Sequence, residues 1–77
     1  MVQAYILVQT EVGMADEVAE GVSAIDGVVR VHIVTGPYDV VVLTEAASSE
    51  HLRKLVVSRV QRVAGITRTL TCSILNA

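Results

Sequence analysis

Residues 28–44 read Val28-Val29-Arg30-Val31-His32-Ile33-Val34-Thr35-Gly36-Pro37-Tyr38-Asp39-Val40-Val41-Val42-Leu43-Thr44. Two runs rich in Val and Ile, 28–35 and 40–44, flank a Gly-Pro pair. β-Branched residues suit strands, and Gly beside Pro marks a turn, because Pro arrives with its φ already set for the first corner. The stretch is therefore a hairpin. Val29, Val31 and Ile33 form one apolar face of its first strand, with Arg30 and His32 on the other. The turn carries more chemistry than turning requires. Gly36 leaves the backbone bare, Tyr38 adds a ring and a hydroxyl, and Asp39 adds a carboxylate. The plain reading is a turn capped by its own Asp; the sharper one is a loop that faces a ligand.

Upstream, residues 14–25 repeat apolar side chains at Met14, Val18, Val22 and Ile25, with Asp16, Glu17 and Glu20 opposite. That is the pattern of an amphipathic helix whose acids lie near its N-terminus, where the dipole favours them. Gly21 marks a close contact with the sheet, and Asp26-Gly27 ends the helix. Before it, residues 2–10 form a strand with apolar side chains in both alternating sets: Ala4, Ile6 and Val8 in one, Tyr5 and Leu7 in the other. Such a strand is covered on both faces. Downstream, residues 48–63 form a second helix, with Ser48 or Ser49 as N-cap and a stripe of Leu52, Leu55, Val56, Val60 and Val63. Gly65 closes it, and residues 66–75 form the last strand. There Thr67, Thr69, Thr71 and Ser73 alternate with Arg68, Leu70, Cys72 and Ile74, a parity opposite to that of the second strand. A bulge or a second buried face would account for it.

The element order is βαββαβ, and its halves repeat. A shift of half the chain lays Val18 on Val56, Val22 on Val60, Gly27 on Gly65, Val28 on Ile66 and Arg30 on Arg68. Each half is a strand–helix–strand unit ending in Gly-(Val/Ile)-x-Arg. Right-handed crossovers then give an α+β, ferredoxin-like plait: a four-stranded antiparallel sheet with both helices on one face. The other face is lined by Tyr5 or Ile6, Val40 or Val41, and Leu70 or Thr71.

The chain has 77 residues, 52% of them hydrophobic and 18% charged. A domain of this size buries only about 60% of its unfolded surface, so this much apolar material predicts an obligate oligomer. A net charge of −2 offers no basic surface to hold nucleic acid by counterion release. The lone cysteine, Cys72, rules out an internal disulfide and suits a reducing compartment. The first residues lack a signal-peptide pattern, and no apolar run approaches the ~20 residues that span a bilayer. A cytoplasmic location and no membrane partner are the expectations. His32 is read as a packed interface histidine, His51 as solvated and Cys72 as a small buried hydrophobe. Phosphate-binding loops, paired catalytic acids and metal-ligand spacings are absent from the sequence, so no cofactor and no metal are expected. Acids gather in the first helix and bases (Arg53, Lys54, Arg59, Arg62) in the second. These are solvated faces, or faces of opposite charge that meet between subunits.

Three phrases carry a family resemblance: Ile25-Asp26-Gly27-Val28-Val29-Arg30-Val31, then Val34-Thr35-Gly36-Pro37-Tyr38-Asp39, then Gly65-Ile66-Thr67-Arg68-Thr69. With the βαββαβ order, they resemble the C-terminal effector-binding (RAM) domain of the Lrp/AsnC (feast/famine) transcriptional regulators. The most specific piece is Thr35-Gly36-Pro37-Tyr38-Asp39, which is similar to the family's Thr-Gly-x-Tyr-Asp. On this resemblance residues 1–77 are expected to be a single Lrp/AsnC-type domain without a helix-turn-helix domain, and thus without direct nucleic-acid binding. The resemblance implies a homodimer formed by pairing of sheets and a further assembly into an octamer or decamer. It implies a small-molecule effector, usually an amino acid, held in clefts between dimers. It places Thr35, Gly36, Tyr38 and Asp39 at that ligand, together with Thr67, Thr69 and Thr71 from a neighbour's last strand. It also offers full-length Lrp/AsnC proteins as partners. The resemblance implies a regulatory module and not an enzyme.

Two other readings share the plait. A dimeric α+β barrel enzyme would enclose a small-molecule cavity between helix and sheet, with His32, Tyr5 and Tyr38 as candidates. An ACT-type amino-acid-binding domain would use a glycine turn after the first strand, for which Val12-Gly13-Met14 is available.

Overall fold

The computed structural model describes residues 1–76. Strand β1 (Val2–Thr10) leads through helix α1 (Ala15–Ser23) to β2 (Val28–Ile33), which turns directly into β3 (Val40–Ala46). Helix α2 follows in three continuous segments: an α turn at Ser49–His51, a π-helical stretch at Leu52–Val57 and an α turn at Ser58–Val60. Strand β4 (Ile66–Ser73) closes the chain. The sheet order is β2-β3-β1-β4 and every neighbouring pair is antiparallel, which is the ferredoxin-like arrangement expected.

The core lies between the helices and one sheet face. Ala4, Ile6 and Val8 of β1 and Val40, Val42 and Ala46 of β3 supply the sheet side, and Val18, Val22, Leu52, Val56 and Val60 supply the helix side. It is built from small aliphatic side chains, so β-branched stiffness and close fit take the place of aromatic bulk. Thr44 is its buried polar member, and its hydroxyl donates to Ala4 O at 2.8 Å. Both tyrosines stand outside the core.

The Gly-(Val/Ile)-x-Arg repeat has a definite structural meaning. Gly27 and Gly65 have φ of +96° and +95°, a region that side chains disfavour. Each is pressed against the helix of the opposite half. A Cβ on Gly27 would lie 2.5 Å from Val56 Cγ2, and one on Gly65 would lie 3.1 Å from Val18 Cγ2. Each glycine carbonyl also accepts a strand-end amide of the opposite half: Glu45 N–H donates to Gly27 O and Glu11 N–H to Gly65 O, both at 2.8 Å. A bulge then opens each following strand. Val28 pairs with Thr44 but Arg30 with Leu43, and Ile66 pairs with Thr10 but Arg68 with Gln9. The extra residue lets Val28 and Ile66 face the helices while Arg30 and Arg68 face away from them.

These bulges resolve the parity conflict and correct the reading of β2. Val28 and Val31 are the half-buried residues of that strand, whereas Val29 sits in the bulge and is 49% exposed. In β4 the threonines face the helix side, opposite Val8 and Ile6, and Leu70 and Cys72 face the open side. Two helix expectations also change. Gly21 approaches Val63 beyond the end of α2, not the sheet. Leu55, expected in the buried stripe, is exposed. The buried residues of α2, Leu52, Val56 and Val60, recur strictly every fourth position, and a 3.6-residue turn would rotate such a row by about 40° per step. The wider π turn counters that drift and keeps the row on the sheet.

Substituting Gly27 with Ala is expected to cost about 2–4 kcal/mol, from backbone strain plus the clash with Val56. Gly65→Ala should cost less, about 1–3 kcal/mol, because the flexible end of Met14 can yield there. Urea denaturation at fixed protein concentration measures both, and an equal or reversed cost would refute this account.

Candidate functional site

The turn between β2 and β3 spans residues 34–39 and is held at several points. Val34 N–H donates to Asp39 O and Asp39 N–H to Val8 O, both at 2.9 Å. Gln9 Nε2 donates to Pro37 O at 2.8 Å. The carboxylate of Asp39 accepts the backbone N–H of Thr10 at 2.8 Å and the Thr10 hydroxyl at 3.4 Å, both on Oδ2. Asp39 thus ties the turn to the end of β1 instead of capping its own turn. At the apex Thr35, Gly36 and Pro37 are exposed, while Tyr38 and Asp39 are half-buried at its base. Gly36 has φ +150° and no atom within 4 Å of a would-be Cβ, so a ligand can approach its backbone without obstruction.

The other residues singled out in the sequence lie apart. Thr67 is in the bulge that starts β4, beside the Thr10 that Asp39 holds. The Thr69 hydroxyl accepts Gln61 Nε2 at 3.2 Å. Thr71 lies further along β4, opposite Ile6 and on the helix side. Within one chain these threonines and the turn do not form one pocket. His32 projects from the open sheet face opposite Val41, and Cys72 is exposed on the same face beside Tyr5, not buried as expected.

On that face the structure decides between the alternatives the sequence left open. Tyr5 and Leu7 of β1, Val41 and Leu43 of β3, and Leu70 of β4 form a continuous apolar surface. Tyr5 is 43% and Leu70 46% exposed. Arg30, His32 and Arg68 flank it on the two outer strands. Clefts of about 600, 370 and 290 Å³ open among the described residues; none of these is lined by residues 35–39 or by His32. The largest lies at the far end of the molecule, beside Asp26, Glu45 and Arg59. Among the described residues no three His, Cys, Asp or Glu gather as a metal site, and no helix is long and apolar enough to cross a membrane.

The profile of the "Lrp/AsnC ligand binding domain" family matches residues 3–77. The chain belongs to this family. An uncharacterized HTH-type transcriptional regulator of Pyrococcus furiosus is 38% identical over 55 residues, covering 71% of this chain and 37% of that protein. The Lrp/AsnC domain described here thus spans little more than a third of that curated relative. A crystal structure from Thermus thermophilus superposes with a TM-score of 0.91 at 28% identity, over 100% of this chain and 96% of that one. A feast or famine regulatory protein from M. tuberculosis, complexed with L-methionine, shares the fold with a TM-score of 0.83 at 24% identity, over 100% of this chain and 52% of that one.

Asp39→Ala removes both bonds to Thr10 and is expected to destabilise the domain by about 1.5–3 kcal/mol, the usual range for hydrogen bonds to a charged group. Amide exchange at Thr10 should accelerate in parallel. An unchanged Thr10 protection factor would show that the carboxylate does not hold β1.

Proposed function

We propose that this Lrp/AsnC domain is an oligomeric amino-acid-sensing module of transcription regulation. The observation that carries the reading is the Asp39 anchor. Both of its bonds to Thr10 use Oδ2, which leaves Oδ1 to accept the ammonium of an amino acid through a charge-assisted hydrogen bond. The bare backbone at Gly36 and the exposed Thr35 stand ready for the ligand's carboxylate, and Tyr38 for its side chain. The half-site is shaped before ligand arrives, so little ordering cost opposes binding.

The half-site has no enclosing walls within one chain, and a second chain supplies them. In this reading two sheets pair through the face of Tyr5, Leu7, Val41, Leu43 and Leu70, which removes their exposed apolar area from water. Dimers then assemble into an octamer or decamer, and Thr67, Thr69 and Thr71 of a neighbour complete the cleft. The exposed acids of α1 and the exposed Lys54 and Arg59 of α2 suit contacts between copies. A ligand shared between subunits shifts the assembly equilibrium by its difference in affinity for the two states. The L-methionine bound by the M. tuberculosis relative supports an amino acid as the ligand class. Co-assembly with full-length Lrp/AsnC proteins in the cytoplasm would pass that shift to DNA. Enzyme chemistry gains no support from the exposed position of His32.

Titration with the twenty amino acids by calorimetry tests the reading. At least one should bind with a Kd in the micromolar to millimolar range, and Asp39→Asn, which keeps an acceptor for Thr10, should weaken it about tenfold or more. No heat from any amino acid at millimolar concentration would refute it. Light scattering of Leu70→Glu should show a shift from higher oligomers to monomer; an unchanged mass would remove the sheet-pairing part.

A further inference from the structure

The helix-side surface of β4 is built for something other than the core. Its neighbour β1 presents Ala4, Ile6 and Val8 to the helices, all fully buried. The paired positions on β4 are Ser73, Thr71 and Thr69. Beyond Ile66, which packs on the core, the apolar Leu70 of β4 goes to the opposite face. The π-helical stretch of α2 packs mainly on β3 and β1 and borders this hydroxyl-bearing strip. A cleft of about 290 Å³ remains between α2 and the β4 edge. Its apolar part is Val2, Leu52 and Val57, and its hydroxyls are Ser49, Thr71 and Ser73. Arg53 supplies the one charge in the lining.

Three independent features make this cleft a site. Leu52, Arg53 and Val57 all come from the π-helical stretch, a geometry that recurs where helices line functional sites. Arg53 is free of ion pairs among the described residues, in which Lys54 and Glu50 form the only one. No carboxylate lines the cleft, so an ammonium group would find no countercharge there. We infer that this cleft binds a small aliphatic carboxylate lacking an amino group: the guanidinium takes the carboxylate, the hydroxyls complete its hydrogen bonds, and Leu52, Val57 and Val2 take the branched chain. A guanidinium fork matches a carboxylate in two parallel bonds, and the cleft volume is at the small end of ligand pockets, where a chain of a few carbons fits. The chemistry is complementary to that of the Asp39 turn, where a carboxylate awaits an ammonium. One domain then distinguishes an amino acid from its deaminated carbon skeleton at two places that share Thr71 alone.

The test uses 4-methylpentanoate as probe, followed by ¹H–¹⁵N spectra of the full chain. Saturable shifts are expected at the amides of Ser49, Arg53 and Ser73, with little change at residues 35–39, Thr67 and Thr69. Arg53→Gln, a change at an exposed position that leaves the core intact, should weaken the probe about tenfold or more, since a charge-assisted pair is lost. The uncharged 4-methylpentanol and the cationic 4-methylpentylamine should bind weakly by the same margin. Asp39→Asn should leave probe binding unchanged, which separates this site from the effector site. Absence of saturable shifts, shifts centred on residues 35–39, or equal binding by Arg53→Gln would each overturn the assignment.

Discussion

Each half of this domain is locked to the other by a glycine that carries no side chain at a place where none would fit. Gly27 lies against Val56 and Gly65 against Val18, and in each case the backbone is in a region closed to most residues. The two contacts are equivalents in the internal repeat, because Val18 corresponds to Val56 as Gly27 does to Gly65. They set the depth at which both helices rest on the sheet. The core that results is made of Val, Ile, Leu and Ala.

The same glycines set the two faces of the sheet. Each begins a strand with a bulge, and each bulge turns one apolar residue toward the helices and one arginine away from them. The open face thereby gains Arg30 and Arg68 on its outer strands around an apolar centre of Tyr5, Leu7, Val41, Leu43 and Leu70. A polar rim around an apolar centre is the composition of a protein interface. The other consequence falls on β4, whose hydroxyls are left on the helix side beside α2. The open apolar face and the lateral cleft are thus products of one local device used twice.

The β2–β3 turn depends on that scaffold as well. Its position is determined by hydrogen bonds to Val8, Gln9 and Thr10 at the end of β1, and the carboxylate of Asp39 supplies the one to the Thr10 amide. A loop held in this way presents its apex without collapsing onto the protein. Loops on rigid supports carry binding residues in many folds for this reason.

The amino-acid sequence by itself determined the element order, the plait, the duplication and the family-like Thr35–Asp39 phrase. Periodicity and turn chemistry are local, and each half of the chain repeats them. It also indicated an apolar excess, which the open face with Tyr5 and Leu70 explains. Only the tertiary structure decided which residue of Val28-Val29 turns inward, because a bulge depends on the partner strand's register and not on the strand's own pattern. It alone showed that Asp39 reaches across to Thr10, a contact spanning 29 positions. It alone placed Leu55 at the surface, since a widening of the helix changes which side of α2 meets the sheet. The cleft beside β4 lay equally out of reach, because it arises from where a helix does not lie.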